Sequence, residues 1–389
     1  MSTLRTINVI HPSGSTTNIV NDSSGNVTVG GGITSGSALD MGSSFKRNRI
    51  LNGNMLIDQR NAGASVTQTT SVLYTLDRWS CYGSVASKFT VQQNAGSVTP
   101  PAGYTKYLGA TSSSAYTVGA SEFFFIQQVI EGYNVADLGW GAAGAQSVTL
   151  SFWVRSSLTG TFGGTLSNDA TNRVYPFTYT ISSANTWTAI SVTVAGDTSG
   201  TWQTGTSGGL VVNFNMGAGA TVSGTAGAWS GSTLRAPTGA TSVVGTSGAT
   251  FYITGVQLEV GTKATPYEMQ IYSDQLAQCQ RYYSKSYNID VAPGTVTYVG
   301  SLATFSPTAS ANRPVIPIFF PVSMRTTPTL IAYSPNNGAT GNFYNNDATA
   351  NFAVQTSVNT GSSGASWLPS GTMTANAFFT GHWVASAEL

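Results

Sequence analysis

Charge is what this sequence has least of. Only 8% of its 389 residues are Asp, Glu, Lys or Arg, against about 25% in an ordinary soluble domain. The formal net charge is +1, so there is no electrostatic footprint for nucleic acid and no basic run to hold a membrane surface. Cysteine is nearly absent. Cys81 and Cys279 stand far apart with no metal-ligand spacing, which predicts two buried thiols in preference to a disulfide. There is no run of about 18 consecutive apolar residues, and so no predicted membrane span. The opening MSTLRTINVIHPSG lacks the apolar core and cleavage pattern of a signal peptide. Synthesis in a cytoplasm is expected, with any outside role reached by lysis or assembly.

Catalytic patterns are also missing. There is no HExxH, no P-loop and no GxSxG. A Ser-His-Asp hydrolase needs a suitable histidine, and the two present are His11, in the lead segment, and His382, beside Trp383 in a strand-like ending. Glycan cleavage needs a carboxylate pair across the scissile bond. The 15 acidic residues form no suggestive local pair. The expectation is a protein that is not an enzyme.

What is present is apolar and hydroxyl-rich. Hydrophobic residues make up 41% and glycines number 44, which separates the chain from disordered sequences of low hydrophobicity and high net charge. Thr, Val, Tyr and Phe suit half-buried strands, and Gly, Asn and Ser suit the turns between them. Hydroxyls and amides in place of charges suit neutral ligands such as glycans, and equally a closely packed oligomer.

Four segments follow. Residues 1–45 are a Gly/Ser/Thr/Asn-rich arm with short strand-like pieces (INVI, NIVN, NVTVGG) and a hairpin turn over Asp22 to Asn26. Residues 46–268 read as strands. Val148, Leu150, Phe152 and Val154 alternate with polar or outward residues, as do Leu210, Val212, Phe214 and Met216, and Ile190, Val192 and Val194 share a face. Period-two alternation with turns between predicts an antiparallel, all-β sandwich, with a jelly roll the natural form. Residues 269–288 predict one connecting α-helix, with Ser273 as N-cap, Asp274 in the first turn, Leu276, Cys279, Gln280 and Tyr283 on one face, and Lys285 near the C-terminal end. Residues 289–389 predict a smaller β-sandwich punctuated by prolines, in which Asn336 to Asp347 reads as a polar binding loop.

Three stretches carry a family resemblance. RNRILNGNMLIDQRNAGASVTQTTSVLYTLDRW resembles the opening of a domain common in bacteriophage tail-fibre proteins. GVQLEVGTKATPYEMQIYSDQLAQCQRYYSKSY resembles its closing strand and following helix, and HWVASAEL the ending of the same proteins. The resemblance implies a jelly-roll domain like a carbohydrate-binding module in a virion fibre that is a homotrimer. It implies attachment to other virion proteins through the N-terminal arm, and recognition of a host surface glycan or other receptor. The alternatives are a structural fibre, adaptor or capsid decoration, and a polysaccharide depolymerase.

Two sets of candidate residues remain. Trp140 (DLGWGAAG), Trp202 (SGTWQTG) and Trp229 (AGAWSGS) sit in Gly-rich loops, and with Tyr133 they are candidate ligand contacts. An aromatic there needs a partner surface, either a sugar's apolar face or a neighbouring subunit. Trp79 and Trp383 fall in strand-like contexts and are expected in the core. Asp58, Arg60, Asp77, Arg78 and Glu259 lie near the two ends of the sandwich. They form either an ion-pair cluster or a structural calcium site with Asp77 and Glu259 as its carboxylates.

Overall fold

The structure is a computed structural model, and it describes residues 8–10, 17–21, 27–29, 46–306, 316–354, 359–367 and 376–389. The chain divides into two compact units, Met1–Lys46 and Arg47–Leu389. In the first, Asn8–Ile10, Thr17–Asn21 and Val27–Val29 form an antiparallel meander, with Val9 opposite Ile19 and Ile19 opposite Val29. The expected turn over Asp22 to Asn26 lies outside the described residues.

Twelve strands of the second unit make a sandwich. In chain order they are β1 (Val66–Thr67), β2 (Leu73–Leu76), β3 (Trp79–Gly83), β4 (Phe89–Gln93), β5 (Leu108–Ser112), β6 (Phe123–Glu131), β7 (Val148–Ser156), β8 (Gly160–Ser167), β9 (Val174–Ile181), β10 (Thr188–Val194), β11 (Gly208–Ala218) and β12 (Thr250–Val260). One sheet runs β10-β7-β12-β5-β4-β1 and the other β9-β8-β11-β6-β3-β2, antiparallel throughout. The chain passes from sheet to sheet at most connections, as in a jelly roll. The alternation read from the sequence faces inward as expected. Val148, Leu150, Phe152 and Val154 meet Leu210, Val212, Phe214 and Met216 in one core, with Trp79 among them. Phe152 and Phe214 touch edge to face at 5.0 Å.

The segment from Arg47 to Gln59 closes the sandwich with side chains standing in for strand partners. Asn48 Oδ1 accepts from the amides of Ile50 and Leu258, and its Nδ2 donates to the Val256 carbonyl. Asn52 serves Ile57 and Asp77 in the same way. Buried amide side chains thus satisfy backbone groups that no strand reaches. Gly53 is required there, because a Cβ would lie 2.1 Å from the Val256 carbonyl oxygen.

The helix is α1 (Tyr272–Gln280), shorter than expected at both ends. Ser273 is not its N-cap. Ile271 is, and no side chain caps the helix, because isoleucine offers no acceptor to the first-turn amides; its carbonyl accepts from Asp274 and Gln275. Tyr283 and Lys285 are not helical either. They lie in β13 (Tyr283–Lys285), drawn into a sheet by pairing with the last strand. Cys279 is buried on the helix and Cys81 in the sandwich, and neither is bridged. Among the described residues no helix is long and apolar enough to cross a membrane.

The strands that follow β13 are β14 (Leu302–Phe305), β15 (Ile316–Phe319), β16 (Thr329–Tyr333), β17 (Asn342–Asn345), β18 (Ala350–Ala353), β19 (Gly364–Trp367) and β20 (Phe378–Ser386). β20 is the hub, pairing with β13, β14, β16 and β17. The β15–β19 pair lies across it, so that Ile316, Ile318 and Trp367 share a second core with Phe343 and Trp383. The Asn336 to Asp347 stretch is therefore not simply a loop. Phe343 needs burial, and it takes Asn342–Asn345 into the sheet as β17.

Candidate functional site

The charged residues at the sandwich's opening form a joint with the C-terminal region. Arg60 and Arg78 share Glu388, each pairing with one carboxylate oxygen, Arg60 at 2.5 Å. Arg78 also donates to the Val129 carbonyl and lies 3.7 Å from the Tyr282 ring centroid. Arg60 lies 3.8 Å from the Tyr283 ring. Beside them Arg281 holds Glu131 through Nε at 3.0 Å and Nη2 at 2.6 Å, and the Tyr282 hydroxyl donates to the same carboxylate. Arg325 donates to the carbonyls of Ala387, Glu388 and Thr206. Pairing on both sides is what a desolvated charge requires. The three stretches that carry the family resemblance meet here.

Asp77 and Glu259 do not share a site. Asp77 is fully buried and accepts from the Gln59 amide and side chain, both at 2.7 Å. Burial pushes its carboxyl up to about 6, against the pull of Arg60 and the Gln59 bonds. Glu259 is taken by Thr265 and Gln257. Calcium needs six to eight oxygens, and no three or more His, Cys, Asp or Glu side chains among the described residues could hold a metal ion. Asp77 and Glu259 each spend their oxygens on separate protein donors.

The loop tryptophans do come together. Trp140 meets Trp202 at 4.7 Å and Trp229 at 5.3 Å, and Trp202 meets Trp229 at 5.5 Å, all edge to face. Each indole N–H is turned to a backbone carbonyl, of Gln146, Ser199 and Ala195. The Arg173–Asp197 pair pins the loop between them through two bonds of 2.7 and 2.6 Å. The rings thus serve largely as each other's partner surface. A hollow of about 160 Å³ remains beside Trp140 and Trp202, lined also by Leu138, Leu210 and Gln203. Tyr133, 64% exposed, sits on the neighbouring turn, where its amide donates to Gly205.

A larger cleft lies on the outer face of the second sheet. Phe124, Ile126 and Ile130 of β6 point into the core. The residues between them, Phe123, Phe125, Gln127 and Val129, therefore point outward. Tyr82 of β3 stands opposite Phe125, and Val211 of β11 opposite Val129. The Tyr82, Phe123 and Phe125 rings are nearly parallel, with interplanar angles of 17°, 21° and 5° and centroids 5.5 to 5.8 Å apart. With Asp169, Thr171 and Arg235 they line a cleft of about 320 Å³. Ligand sites run from about 300 to 1,000 Å³, so the cleft reaches that range and the indole hollow does not. None of its lining was singled out from the sequence. The signal available was FFFIQQVIE, in which aromatics occupy both faces of one strand.

His382 is a packed strand residue. It lies 3.7 Å from the Tyr287 ring at 13°, its Nε2 donates to the Thr297 carbonyl, and Ser286 Oγ is 2.9 Å from its Nδ1. Burial lowers its pKa against the Thr297 bond.

No family model matches the chain, and no curated protein matches it. Solved structures do align. The enzymatically active domain of bacteriophage CBA120 tailspike protein 4 aligns at 12% identity and a TM-score of 0.29, covering 55% of this chain. The match spans 21% of that chain's own length. TmCBM61 in complex with beta-1,4-galactotriose aligns at 11% identity and 0.28, over 56% of this chain and 100% of that one. The CBM22-1 xylan-binding domain from Paenibacillus barcinonensis Xyn10C aligns at 11% and 0.27, over 52% and 99%. Likenesses this low carry no inference about ligand, and the jelly-roll assignment rests on the strand order.

Proposed function

We propose that this chain is a bacteriophage virion fibre protein that binds host surface glycan without cleaving it, through the aromatic cleft of its sandwich. The observation that carries the reading is the set of three near-parallel rings, Tyr82, Phe123 and Phe125, on the floor of a 320 Å³ cleft with Gln127, Thr171, Asp169 and Arg235 around it. Ring surfaces take the apolar side of a sugar, and a few polar groups fix its orientation. Asp169 is the one carboxylate in that lining, whereas hydrolysis with retention or inversion uses two. The hollow at Trp140 and Trp202, with exposed Tyr133 beside it, is a second and smaller contact in this reading.

The reading also makes the protein a homotrimer attached to other virion proteins through residues 1–45. The experiment that tests the function is adsorption competition: host cells are incubated with purified full-length protein, and the binding rate of the parent phage is measured. Slowed adsorption supports the reading, and a correctly assembled protein that neither slows it nor binds the cells overturns it. One observation favours a purely structural fibre instead. Phe305, Phe319 and Ile331 of the C-terminal strands are 64%, 80% and 40% exposed, as residues awaiting a neighbouring subunit would be.

A further inference from the structure

Most of the described arginines are paired, five with carboxylates and two, Arg155 and Arg325, with backbone carbonyls. Arg60 and Arg78 meet Glu388, Arg173 meets Asp197, Arg281 meets Glu131, and Arg49 meets Asp137. Arg325, without a carboxylate, meets three backbone carbonyls. Arg235 departs from the pattern. It is half-buried, and its hydrogen bond is a long one of 3.4 Å to the Thr171 hydroxyl. Its guanidinium lies 5.0 Å from the Phe123 ring centroid and 5.9 Å from that of Phe125. Among the described residues no carboxylate comes within ion-pair distance of it, although Asp169 lines the same cleft.

A guanidinium held over rings keeps its charge and is partly stripped of water. Burial lowers the Arg235 pKa, which records the cost of that position. Removing a charge from water is unfavourable unless a partner replaces the lost hydration. For Arg49, Arg60, Arg78, Arg173 and Arg281 a carboxylate of the fold is that partner. Here the open side of the guanidinium faces a cleft whose floor suits a sugar ring.

We propose that the cleft selects a carboxylated sugar, such as a uronic acid residue, with its carboxylate on Arg235 and its ring against Tyr82, Phe123 and Phe125. This deepens the glycan-binding reading and rests on it. The planar fork of arginine matches a carboxylate through two parallel hydrogen bonds. Asp169, on the same lining, where burial raises its carboxyl pKa against the pull of Arg325, accepts from sugar hydroxyls and in its charged form repels a second negative group. The ligand therefore carries one acid group at the Arg235 end and hydroxyls at the Asp169 end, and densely sulfated chains are disfavoured.

The test uses the full chain and three matched pairs of probes: galactotriose with trigalacturonate, cellotriose with cellotriuronate, and mannotriose with trimannuronate, titrated at low ionic strength. At least one uronate is expected to bind about tenfold more tightly than its neutral partner, the smaller end of what a charge-assisted hydrogen bond is worth. Arg235→Gln is expected to remove the preference and Arg235→Lys to keep part of it, with unchanged melting temperatures showing that both fold. Tyr82→Ala is expected to weaken neutral and acidic probes alike. Equal affinity for each pair, or a preference that survives Arg235→Gln, overturns the acidic-sugar proposal and leaves the glycan reading standing. Sulfated galactotriose bound as tightly as trigalacturonate overturns the carboxylate assignment. Failure to bind any probe, or binding indifferent to Tyr82→Ala, overturns the cleft reading and the proposal with it.

Discussion

Arg78 and Arg235 both lie over aromatic rings, Arg78 at 3.7 Å from Tyr282 and Arg235 at 5.0 Å from Phe123. Around Arg78 the two terminal nitrogens are taken inside the fold, by Glu388 and by the Val129 carbonyl. Around Arg235 the bond is the long one to the Thr171 hydroxyl. The same residue type on the same kind of surface thus serves two purposes. At the joint, charge and countercharge are sealed together, so that the sandwich and the C-terminal strands hold one arrangement. At the cleft, the cation and the rings line an open surface, where the proposed sugar would supply the complement.

Breaking the joint gives the largest effect. Glu388→Ala leaves Arg60 and Arg78 without their carboxylate, and loss of one member of a buried ion pair costs about 3–5 kcal/mol. Urea unfolding should show that loss, and a change below about 1 kcal/mol would mean that the joint behaves as a surface pair. Asp77 gives the next. Its carboxyl titrates near 6 in the folded state against 3.8 in its ordinary state. The folded protein therefore holds that proton more tightly, and the contribution of Asp77 to stability is fully present below 3.8 and is lost as pH rises through about 6. The slope amounts to on the order of 2–3 kcal/mol. Asp77→Asn should flatten the stability profile across that window, whatever its constant offset, and an unchanged slope would assign the titration to another group.

Smaller effects sharpen the contrast from the other side. Trp229→Ala removes one ring from the half-buried indole cluster and should cost about 2 kcal/mol in thermal unfolding. It should leave adsorption competition unchanged if the ligand sits in the cleft, and lost competition would move the binding site to the cluster. Arg235→Gln should change stability by less than about 0.5 kcal/mol, because only a long hydrogen bond to Thr171 and ring contacts at 5.0 and 5.9 Å are given up. A loss as large as that of Glu388→Ala would show that Arg235 is structural.

The sandwich strands were legible because each alternation is local. Val148 to Val154 and Leu210 to Met216 declare their inward faces within seven residues, and both runs line the core. The helix was misjudged at its ends for a tertiary reason. Tyr283 and Lys285 continue a helical spacing, yet pairing with Ser386 and Val384 takes them into a sheet. The indole cluster joins residues from three separate loops, and nothing in the spacing of Trp140, Trp202 and Trp229 announces contact. Glu388 is as far removed from Arg60 and Arg78, so the ion pairs were sought among Asp58, Asp77 and Glu259 instead. In the cleft, Phe123 and Phe125 were visible as aromatics on the outward face of β6, while Arg235 sits in an irregular stretch that no periodicity describes.

The two ingredients of the cleft come from different parts of the architecture. Its rings belong to β3 and β6, where a substitution disturbs a sheet. Its cation belongs to a connection tied down by a two-residue parallel bridge, Ser223–Gly224 with Ala236–Pro237. Heritable variation meets these two parts unequally. The floor is constrained by the demands of folding, while the irregular connection carries fewer of them. On the proposed reading, a single codon change at position 235 alters the charge that the cleft complements and leaves its ring floor in place.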